Sequence, residues 1–77
     1  MSDAETVDQL DEARAELHEA QRIASLLDEE DVPAGPRDVV AVARLVIERD
    51  LAARRVEAWT AIVDKLRAEG ARRGLFA

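Results

Sequence analysis

Carboxylates are the most abundant reactive groups in this 77-residue chain. Asp and Glu number 17 against 11 Lys and Arg, with one His and no Cys. Paired carboxylates can bridge metals or exchange protons, so their spacing is the first test. Helical di-iron centres use Glu-x-x-His on the inward faces of paired helices. His18 has Ala15 three residues before it, so that pattern fails. Asp28-Glu29-Glu30-Asp31 gathers four carboxylates without the spaced ligands and glycine of a calcium loop. A single imidazole cannot build a multi-histidine site. The missing cysteines exclude disulfides, thiolate metal sites and Cys nucleophiles. No metal or other cofactor is expected.

The hydroxyls are Ser2, Ser25, Thr6 and Thr60, and no base is recognisably placed for any of them. His18 adjoins Leu17 and reads as a surface or seam-edge imidazole. Gly35 stands alone between Pro33 and Pro36, so there is no Gly-rich phosphate loop. The expectation is a protein that is not an enzyme. Arginine carries the rival chemistry. Arg54-Arg55, Lys65, Arg67 and Arg72-Arg73 cluster in the second half, and arginine suits phosphate and guanine contacts. Glu57, Asp64 and Glu69 interleave with them. A helix-turn-helix needs a turn of about three or four residues, which the connection from Asp28 to Pro36 exceeds. The net charge of −6 opposes non-specific nucleic-acid or anionic-lipid binding. A small DNA- or RNA-binding regulator is therefore the alternative and a protein-binding role the main expectation.

The elements that carry these groups are helical. From Arg37 to Glu69 there is no internal Gly or Pro. One apolar row there is Val42, Leu45, Ala52, Val56, Trp59, Val63 and Leu66, with Arg49 as its break. A second is Val40, Ala43, Ile47, Leu51, Ala58 and Ile62. Steps of three, four and seven mark helix faces, and the two rows lie roughly 140° apart. The helix predicted over about 37–69 is about 50 Å long at 1.5 Å per residue. The β-branched Val39–Ile47 stretch could be a strand, but it would have no partner in this chain. A break near Arg49-Asp50 is the alternative to one long helix.

Before it, a helix is predicted over about 4–28, capped by Ser2 or Asp3. Its seam is Leu10, Ala13, Leu17, Ala20, Ala24 and Leu27, with Ile23 and Leu26 widening it. Small residues at alternate points suit close antiparallel packing. An acidic row beside the seam, Glu5, Asp8, Glu12, Glu16 and Glu19, is a solvated face or a docking face for a basic partner. Asp11–Arg14 and Glu19–Arg22 offset its self-repulsion. Residues 29–36 form the link, with a turn at Gly35 and Pro36 opening the second helix. The acidic run should end the first helix before most of its carboxylates, since they oppose the dipole. Gly70 or Gly74 ends the second helix, and residues 70–77 are a short tail.

Residues 1–36 carry 11 acids and 2 bases, residues 37–77 carry 6 acids and 9 bases, so the halves should attract. No run is apolar enough to span a membrane and Met1 to Asp11 does not read as a signal peptide, so the expected location is cytoplasmic. Ten Arg to one Lys, with abundant Ala, fits GC-rich codons and a high-GC bacterial or phage source. Small secreted helical hairpins of the WXG type carry Trp-x-Gly in the loop. Here Trp59-Thr60-Ala61 lies in the second helix and the link has no Trp, so that resemblance fails.

The chain therefore reads as one all-α domain: a two-helix antiparallel hairpin that dimerises into a four-helix bundle. A helix with two apolar rows needs two partners, and one chain supplies one. The expected oligomer interface is Val40, Ile47, Leu51 and Ile62. A further, unidentified protein partner is expected to bind at Trp59, Arg72, Arg73, Leu75 or Phe76. The function that follows is a small adaptor, regulator or assembly factor.

Overall fold

The computed structural model describes residues 2–32 and 38–76. They form two helices, α1 (Asp3–Glu29) and α2 (Val39–Arg72), and no strand occurs among the described residues. The expected turn at Gly35 and Pro36 lies outside them. Helix α2 runs unbroken through Arg49 and Asp50, so the three-helix alternative does not occur. Its β-branched start is helical as well. A strand there would leave its backbone donors and acceptors unpaired, whereas the helix satisfies them internally.

Two end contacts show that the helices are antiparallel. At one end Arg73, just past α2, donates to the Thr6 hydroxyl at 3.2 Å and approaches Asp3 at 3.7 Å. At the other, Arg49 donates to the backbone oxygens of Leu27 at 3.0 Å and Glu30 at 2.9 Å. The hairpin is a rod of 57 × 16 × 14 Å. Charge attraction between the halves contributes little to direct pairing. Arg22–Glu19, Arg54–Asp50 and Arg72–Glu69 each stay within one helix, while Arg73–Asp3 crosses.

The predicted seams meet. Leu10, Ala13 and Val63 form the centre of the core, with Leu17, Trp59 and Leu66 packed against it. Ala20, Leu45 and Ala52 are buried further along. Leu10 is 1% exposed, and burying a side chain of that size contributes about 1.5–3 kcal/mol. The alanines bury less area each but let the helix axes approach.

The helix ends follow from local chemistry. Ser2 is extended and its Oγ accepts from the Glu5 backbone N–H at 3.2 Å, while Asp3 and Glu5 favour the positive end of the dipole. At its other end α1 includes Asp28 and Glu29, further into the acidic run than the dipole argument predicts. No basic residue lies in that last turn. Arg49 of α2 supplies the missing cation and bonds two carbonyl oxygens there.

Helix α2 passes through Gly70 and ends at Arg72. Gly74 has φ of +70°, its N–H donates to Ala71 O at 3.1 Å, and Leu75 N–H donates to Gly70 O at 2.9 Å. This pair of bonds around a left-handed glycine is the Schellman arrangement. Gly70 serves a different purpose from the cap expected of it. A Cβ at this position would come within 2.8 Å of Phe76 Cζ, so the missing side chain makes room for the ring to fold back.

Candidate functional site

The groups that could do chemistry are mostly occupied by structure. Ser2 caps α1. Thr60 donates to the Val56 carbonyl at 2.7 Å. Thr6 is fully buried, donates to the Ser2 carbonyl at 3.1 Å and accepts from Arg73. His18 is exposed and lines an open concavity with Gln21, Arg22 and Ser25. That surface is one side of α1 and encloses nothing. Among the described residues no three His, Asp or Glu side chains are grouped to hold a metal. No buried side-chain polar atom among them lacks a hydrogen-bond partner. No described helix is long and apolar enough to cross a membrane.

The arginines of the second half are divided. Arg54 is paired with Asp50 at 3.2 Å, Arg72 with Glu69, and Arg73 with Glu69 and Asp3. The acidic row of α1 faces solvent. Within it the Arg22 guanidinium bonds Glu19 and holds its carboxyl below the usual range, while Glu19 raises Arg22 in return. Arg55 of α2 adds a smaller lowering of Glu19 across the helix pair.

An open apolar surface runs along α2. Val40 is 64% exposed, Ile47 58%, Leu51 54% and Ile62 41%. These are the residues expected at an oligomer interface, and in the single chain no part of the hairpin covers them. Val39 and Val46 are exposed beside them. The surface extends onto α1 near the link, where Leu26 is exposed and Ile23 and Leu27 share a shallow groove of about 290 Å³ with Leu51 and Arg55. A second groove of about 260 Å³ lies towards the other end, between Ala13 and Glu12 of α1 and Trp59, Ile62 and Leu66 of α2.

The expected partner-binding residues are scattered between roles. Trp59 packs against the core cluster and presents an edge to the second groove. Arg73 fastens α2 to the start of α1. Leu75 is half-buried and Phe76 lies over Gly70. In the sequence Thr6 reads only as a hydroxyl and Arg49 only as a break in a row. Both are structural. Thr6 lies four residues before Leu10 and continues the seam by one turn, which was the available signal. For Arg49 there was none, because its partners lie nineteen and twenty-two positions earlier in the chain.

No protein-family model matches the chain, and it resembles no curated protein or solved structure.

Proposed function

We propose that the protein is a non-enzymatic interaction module, an adaptor, regulator or assembly factor, that works in the cytoplasm as a homo-oligomer. Two hairpins pack through the second row of α2 into a four-helix bundle, and that bundle binds a further protein. The observation that carries the reading is the exposure of Val40, Ile47 and Leu51 at more than half their surface each. These residues recur at helical spacing on the side of α2 away from the core, and soluble monomers rarely keep such a contiguous apolar patch open. Surface area points the same way. The chain exposes 5755 Å², against roughly 4,700 Å² expected of a compact monomer of this mass.

The test is molar mass by light scattering on a sizing column. The wild-type chain elutes as a dimer or higher species at micromolar concentration. Ile47→Asp and Ile62→Asp each reduce the mass towards that of one chain, because association would bury an unpaired carboxylate. A stable folded monomer in the wild type rejects the reading. Tight binding to a DNA or RNA duplex with a steep salt slope would replace it with a nucleic-acid role.

A further inference from the structure

We propose that the second copy covers the side of the hairpin that carries both grooves, with the two hairpins pointing the same way. Helix α1 of each protomer then lies on α2 of its partner. This inference rests on the dimer reading and gives that dimer its geometry.

The two grooves lie on one side of the rod. Leu51 and Ile62 are eleven residues apart, as are Glu12 and Ile23, and eleven residues make about three helical turns. On α1 the same line holds Glu5, Glu12, Glu16 and Glu19 before reaching Ile23. On α2 it holds Glu48, Leu51, Arg55 and Ile62. The side is thus acidic on one helix, and on the other apolar with one acid and one base. Over their full lengths α1 carries nine carboxylates and two arginines, and α2 carries seven bases and five carboxylates.

Two kinds of two-fold axis can bring this side onto itself. An axis across the rod stacks α1 on α1 and α2 on α2, with the hairpins opposed. The acidic row then faces its own copy. An axis along the rod stacks α1 on the partner's α2. The acidic row then faces apolar surface on which Glu48 and Arg55 balance, rather than a second acidic row. Like-charge juxtaposition is what complementary interfaces avoid, so electrostatics selects the second axis.

Apolar placement selects it independently. Exposed apolar side chains of α2 concentrate near the link, with Val40, Ile47 and Leu51 there and Ile62 towards the other end. Hairpins pointing the same way put link half on link half, so Ile23 comes to the level of the partner's Leu51. Fully overlapped, opposed hairpins put that apolar half against the charged half. Size is sufficient. One side of a 57 × 16 Å rod offers roughly 900 Å² in projection, against the roughly 800 Å² per partner of a standard interface.

Cross-linking reads the geometry directly, since the chain has no cysteine of its own. The end contacts set Glu16 level with α2 residues close to Ala58. One batch carries Glu16→Cys and another Ala58→Cys, and each is oxidised alone and after mixing. The expected result is a disulfide-linked dimer on mixing and none from either variant alone. Glu12→Lys combined with Glu16→Lys also weakens wild-type-like association about tenfold or more at low salt, an effect that high salt removes. Glu16→Cys linking to itself, or an intact dimer that gives no mixed product, overturns the arrangement and leaves the dimer standing. A monomer by light scattering in both batches and in the wild type removes the dimer and the arrangement together.

Discussion

Helix α2 has two apolar rows of similar composition, and the fold treats them oppositely. Leu45, Ala52 and Val63 are each at most 5% exposed, while Val40, Ile47 and Leu51 are each above 50%. Residue type does not separate the rows. What separates them is whether α1 lies opposite. The seam of α1 is narrow, with alanine at alternate points, and it can cover one row only. The comparison teaches that in a short chain an apolar pattern reports how many partners an element needs, and the number of elements reports how many it gets.

The sharpest way to break this comparison is to damage each row in turn. Leu10→Ala removes the most buried core leucine facing α2. It should cost about 2–5 kcal/mol, because a cavity opens where the helices meet. Chemical denaturation followed by circular dichroism should show that loss at every protein concentration. Ile47→Ala, on the outer row, should leave the loss dependent on concentration, since only association is affected. Equal, concentration-independent losses from both would mean that the two rows are not distinct in solution.

The second effect concerns the charged member of the core-facing row. Arg49→Ala removes two bonds to carbonyl oxygens at the end of α1, where Asp28 and Glu29 also oppose the dipole. A loss of about 1–2 kcal/mol is expected for charged hydrogen bonds that are partly exposed. Hydrogen exchange should localise it, with amide protection falling in the last turn of α1 and unchanged near Leu10. Uniform loss along both helices would mean that Arg49 acts through general packing.

These two residues mark what was legible. Both seams and the antiparallel arrangement could be read from spacing, and the helical state of the valine-rich start from spacing together with the lack of a partner strand. Spacing is local, and a helix writes its buried face into every turn. Arg49 could not be read, because its role depends on which carbonyls the fold brings beside it. The ends were half legible. Gly74 reads in the sequence as a possible cap. Gly70 reads as another, although its lack of a side chain serves a ring six residues later.

Gly70 allows a finer test, at the point where the core-facing row runs out. Gly70→Ala gains about 1 kcal/mol of helix propensity and loses the packing of Phe76, whose ring must swing aside. The two effects oppose, so the net change in stability should be less than about 1 kcal/mol in either direction. The ring itself should move. Fluorine resonance from a labelled Phe76 should shift towards that of a solvated ring in Gly70→Ala. An unchanged resonance would show that the ring does not sit over Gly70.

The smallest effect belongs to the Glu19–Arg22 pair on the surface of α1. Hydrogen bonding from Arg22 lowers the Glu19 carboxyl, and in the single hairpin both groups are open to water. A lowered carboxyl stabilises the folded helix above its ordinary pKa, and that contribution disappears as the pH falls through the lowered value. Arg22 is raised instead, so its share persists at all lower pH until Glu19 is protonated. Solvent screening keeps the consequence for stability slight, so the titration is the better measurement. In Arg22→Gln the Glu19 midpoint, followed by carboxyl carbon resonance, should rise towards the normal carboxylate range while the helix content at neutral pH stays the same. A midpoint that ignores the substitution would assign the lowering to other charges, and Arg55 across the helix pair would be the next to remove.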